Sequence, residues 1–380
     1  MPQIINTNVA SLNAQRNLNS SQGAATTAMQ RLSSGMRINS AKDDAAGLAI
    51  ADRFTSQIRG LNQAARNAND AISLTQTADG AMSAVTDNLQ RIRELAIQSA
   101  NATNTTSDRA ALQTEVSQLK SEIDRVANQT NFNGIKLLDG SFASAVFQVG
   151  ANAGETISVS GLQNSTIAAL GSVTAASTQS STVSGLTTTA TVLTDFTVNG
   201  TDIGALAAVG TSQERAAQVV DAVNKIATTT GVNAYLDNTT GKLVMTSNAA
   251  ITLAGSAGGL AATGFAAGAT AAATTTGLTT LDVSSYAGAS NAITAIDSAL
   301  GQMNTSRATV GALQSRFSST VANLQTTSEN LSASRSRIQD TDYAAETATL
   351  TKSQILQQAG MAMLAQANQQ PNSVMTLLRG

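Results

Sequence analysis

The sequence predicts a mainly α protein: long antiparallel helical hairpins in a coiled-coil-like rod, discontinuous helices at the two chain ends, and a small α+β, β-rich insert. Three observations lead there. Among 380 residues the only prolines are Pro2 and Pro371, so the sequence between them lacks that helix breaker. Apolar residues recur at steps of three and four toward both ends. In the middle the period changes and charge thins, from 25 charged residues in 1–140 to 10 in 141–290, before 11 in 291–380.

Toward the C-terminus, Ile293, Ile296, Leu300, Met303, Val310, Leu313, Phe317, Val321, Leu324, Leu331 and Ile338 form a heptad-like seam. A helix over that stretch extends roughly 70 Å and needs a partner along its length. The N-terminal zone supplies one in Ile58, Leu61, Ala65, Ala68 and Ile72, continued by Met82, Val85, Leu89, Ile92 and Ala96. After the Ser/Thr/Asn-rich break at 101–107, Leu112, Val116, Leu119, Ile123 and Val126 mark a third helix, and three such faces close one core. Leu18, Ala25, Met29, Leu32 and Met36 carry a thinner stripe near one end, as do Ile355, Ala359 and Ala362 near the other. Such weak faces are marginal alone in water, so these terminal helices are expected to order only on assembly.

The middle reads differently. Residues 145–149 and 155–160 suggest two strands around the Gly150–Gly154 turn, and Ser/Thr-rich runs at 177–184 and 271–280 bracket a compact unit. Within it, residues 196–199 suggest a strand ending at Gly200. Thr211 and Glu214 have capping-box spacing before a helix carrying Val219, Val220, Val223 and Ile226. Residues 234–237 and 242–246 then flank a turn at 238–241.

Composition excludes much chemistry. There is no histidine and no cysteine, which removes the commonest general base, the thiol nucleophile, the usual zinc sites and all disulfides. A net charge of −2 from 22 basic and 24 acidic residues argues against a nucleic-acid partner. No run has the character of a secretory signal or a spanning helix, so neither a cleaved signal nor membrane insertion is expected. Asp43/Asp44 and Asp340/Asp342 are paired carboxylates, but each pair lies near basic residues, and helix-end pairing outweighs catalysis. No catalytic, cofactor or metal site is expected, and the chain reads as a non-enzyme. On the segment 90–101, Leu89, Ile92 and Ala96 face the core, which turns Leu95 outward beside Arg91. An outward Leu is either a solitary surface residue or an anchor between subunits.

Specific stretches carry a resemblance. They are Ile5-Asn-Thr-Asn8, Arg31-Leu-Ser-Ser-Gly35, the run 37–47, Gln90 to Asn101 and Phe132-Asn-Gly-Ile-Lys-Leu-Leu138. Toward the other end are Ser334 to Tyr343, Ala344 to Thr347, Gln357 to Gly360 and Leu364-Ala-Gln-Ala-Asn368. Together they resemble the terminal signatures of bacterial flagellins, over about 140 residues at one end and 90 at the other. The resemblance implies a self-assembling helical polymer, the extracellular flagellar filament used for swimming. It implies an inner core domain of residues 1–44 with 341–380, a rod domain of 45–175 with 286–340, and a variable exposed insert of 176–285. Leu18, Met29, Leu32, Ile355 and Leu364 would pack the filament core. The implied partners are a cap protein, hook–filament junction proteins, an export chaperone and the flagellar type III export apparatus. Arg91, Leu95 and Glu115 match the patch read by the vertebrate Toll-like flagellin receptor. Val374, Leu377, Leu378 and Arg379 match the tail read by a cytosolic inflammasome sensor, with Gly380 extending past the usual terminal Arg. Alternatives are a hook–filament junction protein and a surface adhesin acting through the insert, which carries few aromatics.

Overall fold

The computed structural model describes residues 7–189, 196–237 and 240–377, with side chains through 369. In chain order the elements begin with α1 (Val9–Ser34), α2 (Ala45–Ser99) and α3 (Thr106–Gln129). The hairpin strands β1 (Asn131–Phe132), β2 (Ile135–Lys136), β3 (Ser144–Gln148) and β4 (Thr156–Ser160) follow. The insert contains β5 (Ser172–Thr182), β6 (Thr197–Val198), β7 (Thr201–Asp202), α4 (Ser212–Lys225), α5 (Ala227–Thr230), β8 (Val232–Asp237), β9 (Lys242–Ser247), β10 (Ile251–Ala254), α6 (Ala257–Thr263), β11 (Gly268–Thr270) and β12 (Ala273–Thr276). The chain closes with α7 (Tyr286–Gln339) and α8 (Tyr343–Leu377). Two compact units result, one from residues 1–69, 148–157 and 318–380, the other from 70–147 and 158–317.

In the first unit α1 runs antiparallel to α8. Asn8 caps α1 by accepting from the Ser11 N–H, and its side-chain amide donates to the Ala367 carbonyl at 2.7 Å. Arg31, near the other end of α1, meets Glu346 at 3.6 Å. The first part of α2 pairs antiparallel with the last part of α7, through Arg335 to Thr55 and Ser328 to Asn62. Leu61, Ala64 and Leu324 form the core there, with Ala151 of the β3–β4 turn packed on them. The close approach to that turn suits glycine at Gly60, where a Cβ would stand 3.0 Å from the Ala151 Cβ.

In the second unit α2, α3 and α7 bury Met82, Val85, Leu89, Ile92, Val116, Ile123, Ile296, Met303, Val310 and Phe317. Arg307 pairs with Asp79 at 2.9 Å and Arg93 with Asp297 at 2.6 Å, which places α7 antiparallel to α2. Phe317 meets Phe147 of β3 edge to face at 6.0 Å, the geometry aromatic pairs prefer. The seam is rotated from the expected one. Ala292, Ala295 and Ala299 are buried while Ile293 and Leu300 are half-buried, and Ala64 and Ala71 replace Ala65 and Ile72 at the most buried places. Small residues let helix backbones approach, so alanine occupies the closest line of contact and the larger side chains flank it.

Both strands expected around residues 150–154 form, as does the helix after the Thr211/Glu214 capping box. Strands β8 and β9 pair in register from Val232–Ser247 to Asp237–Lys242, around a turn partly outside the described residues. The Ser/Thr-rich runs that bracket the insert are partly strand. They contribute to β5 and β12, which pair antiparallel in a four-stranded sheet of order β12-β5-β9-β8, because β-branched Thr suits the pleat and the pairing satisfies the backbone. A second sheet has order β11-β10-β6-β7. Phe196, Val198, Val219, Val223, Leu243, Met245, Ile251 and Phe265 fill the insert's core. Arg215 is fully buried beside it, donating to the Thr187 and Thr189 carbonyls and to Gln218.

The start of α3 is a reciprocal cap: the Asp108 N–H donates to Thr105 Oγ1, while the Thr105 hydroxyl and N–H donate to the Asp108 carboxylate. These bonds, that of the hydroxyl first, hold the Asp108 carboxyl below the usual carboxylate range. A depressed folded-state pKa contributes stability above the unfolded value of about 4, and that contribution is lost as pH falls through the folded value. Acidification below about pH 4 is therefore expected to fray the first turn of α3, and Asp108→Asn to flatten that dependence in amide hydrogen exchange.

Candidate assembly surface

The two breaks in the helices are joined to each other. Gly35, at φ 70°, ends α1 with its N–H on the Arg31 carbonyl. Asp44 opens α2 by accepting from the Gly47 N–H, and Asp342 opens α8 by accepting from Ala344 and Ala345. Asp43 accepts from the backbones of Ser40 and Asn39 and from the Ser40 hydroxyl, all of which hold its carboxyl below the usual range. These carboxylates are backbone caps, as helix-end chemistry requires. Across the breaks, Thr341 donates to the Gly35 carbonyl at 3.0 Å and Arg37 donates from its backbone to the Gln339 carbonyl at 2.7 Å. The Arg37 guanidinium holds the Ile338 carbonyl at 2.6 Å, and the Gln339 amide reaches the Met36 sulfur. The Tyr343 hydroxyl fills the space beside Gly35 where a Cβ would stand.

Beyond this clasp, α1 and α8 bury little. Ala25 and Ala28 are the buried apolar residues of α1, and Ser353 is buried on α8. Of the residues expected to pack a polymer core, Leu18, Leu32 and Leu364 are half-buried, while Met29 is 55% and Ile355 59% exposed. Val9, Leu12, Leu356, Met361 and Met363 are also exposed, and they lie outside the apolar stripes that the spacing marks. Their signal was present only as solitary apolar residues on a stripe of Ala, Asn and Ser. A groove of about 740 Å³ runs between the helices, with Ala10, Ala14 and Asn17 on one wall and Leu356, Gly360 and Met363 on the other. Val374 and Leu377 lie where side chains are not described, and Leu378 and Arg379 lie outside the described residues.

The structure brings Arg91 and Glu115 together. The guanidinium bridges Glu94 at 3.0 Å and Glu115 at 2.9 Å across α2 and α3, and these carboxylates, Glu94 first, raise the Arg91 pKa. All three side chains are well exposed, so the network presents charge at little cost or benefit to stability. Leu95 does not accompany them on the surface. It is 1% exposed, and the expectation of an outward Leu is corrected. A helix flanked by one neighbour has one buried stripe, but α2 is joined to α3 by Arg91–Glu115 and to α7 by Arg93–Asp297. Leu95, one turn beyond Arg91, lies on the α3 flank of the widened apolar face.

Among the described residues no group of three or more carboxylates could hold a metal ion, and no helix is long and apolar enough to cross a membrane. Tyr235 packs on Tyr286 at 4.8 Å; burial first, then Asp237 and Tyr286, pushes its phenol up to about 12. A phenol so held is no base or nucleophile at neutral pH.

Three family profiles match the sequence: the bacterial flagellin N-terminal helical region at residues 5–143, the bacterial flagellin C-terminal helical region at 293–378, and the flagellin hook IN motif at 195–249. The B-type flagellin of Pseudomonas aeruginosa is 39% identical, with the whole of both chains covered. Flagellin B of Vibrio cholerae is 42% identical over 98% of this chain and 99% of the relative, and flagellin A of the same species is 44% identical over 99% of each.

Leu95→Ala is expected to destabilise the second unit by about 2–5 kcal/mol, the range for emptying a buried leucine site. Arg91→Ala is expected to change it by less than about 1 kcal/mol. Denaturant unfolding followed by circular dichroism separates the two.

Proposed function

This chain belongs to the bacterial flagellin family, and we propose from that premise that folding of its ends and growth of the filament are one event. It is a structural subunit of the flagellar filament, and so a component of the extracellular flagellum. The junction-protein reading has less support, because the curated relatives that span the chain from end to end are flagellins.

The observation that carries the proposal is the imbalance on α1 and α8. Ordering each residue costs about 1–2 kcal/mol, and two buried alanines on α1 recover little of it. Each exposed Leu, Ile or Met instead contributes about 1.5–3 kcal/mol when a neighbouring subunit covers it. In the isolated subunit the balance therefore lies against the ordered helices, and assembly tips it toward helix. Residues 1–44 with 341–380 then form the inner core, 45–175 with 286–340 the helical domain around it, and 176–285 the exposed insert. The same unpacked ends suit export as an unfolded chain through the type III apparatus, with a chaperone covering the C-terminal helix until release. Cap and junction proteins would meet the same helices at the filament's ends.

A second reading concerns innate immune recognition. The Arg91–Glu94–Glu115 network is an exposed, charged and nearly energy-neutral patch, suited to a receptor surface. Leu95 supports that patch from beneath rather than touching a partner.

Adding monomer to filament fragments tests the main proposal, with elongation followed by electron microscopy and helicity by circular dichroism. Long filaments appearing together with a gain in helix support coupled folding; elongation without that gain refutes it. Removing residues 341–380 is expected to abolish elongation while the second unit stays folded. For the patch, Arg91→Ala and Glu115→Ala are expected to lower activation of the Toll-like receptor at unchanged thermal stability, and unaltered activation counts against the site.

A further inference from the structure

Asn-Gly occurs twice in this chain, at Asn133–Gly134 and Asn199–Gly200, and the fold uses both in the same way. Each is the two-residue loop of a tight hairpin, with Phe132 facing Ile135 across the first and Val198 facing Thr201 across the second. Both asparagines have φ 50°, followed by glycines at 81° and 79°. This is the backbone that Asn-Gly adopts most readily between twisted strands.

The side chains differ. The Asn199 amide donates to the Thr230 carbonyl at 3.0 Å and its carbonyl oxygen accepts from the Thr252 N–H at 2.8 Å, so both ends of the carboxamide are fixed. Asn133 is exposed, and among the described residues no hydrogen bond reaches its side chain. Gly134 is also exposed, with no heavy atom within 4 Å of where a Cβ would stand.

We infer that Asn133 is a site of spontaneous deamidation in the folded protein, and that Asn199 is its protected counterpart. The Gly134 backbone nitrogen attacks Cγ of Asn133 and gives up its proton to solvent, while the side-chain nitrogen leaves as ammonia. A cyclic imide closes between the two residues. Water then opens the ring: cleavage between the ring nitrogen and Cγ leaves aspartate, and cleavage between that nitrogen and the main-chain carbonyl carbon leaves isoaspartate. The sum is one water consumed and one ammonia released, with no electron transferred. Ring closure needs the Asn133–Gly134 backbone to turn as the free carboxamide swings toward the nitrogen, and the exposed turn, with no Cβ on Gly134, leaves room for both motions. Asn199 must first break two hydrogen bonds. Either product puts a carboxylate on the turn near Lys136, whose present partner is Asp139 at 3.7 Å. Isoaspartate also adds a backbone carbon beside the Asn131–Lys136 and Phe132–Ile135 pairs, which breaks their register. The turn thereby records the age of the subunit.

The test incubates the full-length protein at mildly alkaline pH, folded and in denaturant, with digestion and mass spectrometry to quantify conversion at each asparagine. Folded, Asn133 is expected to convert at least about tenfold faster than Asn199, the factor that two ordinary hydrogen bonds impose. Unfolded, the two rates are expected to converge, and Asn133→Gln to remove the first conversion alone. An Asn133 that stays intact in the folded protein, or equal folded-state rates at the two sites, overturns the inference.

Discussion

Between α1 and α2 the chain turns through a left-handed residue, Gly35, and opposite it a three-residue break separates α7 from α8. The backbones of the two breaks satisfy each other: Thr341 to Gly35, Arg37 to Gln339, and the Arg37 guanidinium to Ile338. Sliding either segment of this junction would break several of these hydrogen bonds at once, each contributing about 1 kcal/mol. The clasp therefore sets which residue of α1 lies opposite which residue of α8. The Arg31–Glu346 ion pair and the Asn8–Ala367 hydrogen bond follow from that register.

From the clasp outward, the terminal helices and the rest of the chain solve different problems. Along α2 and α7, alanine on the contact line permits close packing, and the Leu, Ile, Met and Phe beside it provide most of the buried area. Alanine also has the highest helix propensity, so one residue type serves both the local and the tertiary requirement. On α1 and α8 the same small residues leave a groove, with Leu356 and Met363 on one wall and other exposed apolar side chains, Val9, Leu12, Ile355 and Met361, outside its lining. That distribution is what a subunit needs if its ends are to be completed by other copies. The insert is stabilised differently, by two small sheets, a dense apolar core and an arginine whose buried charge is spread over backbone carbonyls.

Much of this architecture was legible in the residues because it is written in local rules. The absence of internal proline, the three-and-four spacing, the Thr211–Glu214 cap and the Ser/Thr/Asn-rich break at 101–107 each follow from near neighbours in the chain. Phe196, Val219 and Val223 were placed in the insert by the same reasoning. The misreadings share one cause. For Leu95, Ile293 and Leu300 the face follows from spacing along one helix, whereas the way the neighbouring helices pack widens or rotates the buried stripe. The Ser/Thr runs gave no strand signal because a strand of small polar residues has no apolar alternation, and only pairing of β5 with β12 and β9 gives it order.

Residues read within a short window were enough for the helical class, the Thr211–Glu214 cap, the break at 101–107 and the family resemblance. Tertiary structure alone decided that the two breaks hydrogen-bond to each other, and that Arg91 meets Glu115 while Leu95 is buried. It also decided that two identical Asn-Gly turns present differently held side chains. Those outcomes depend on residues tens or hundreds of positions apart, brought together by packing, and no periodicity along the chain encodes which of them will meet.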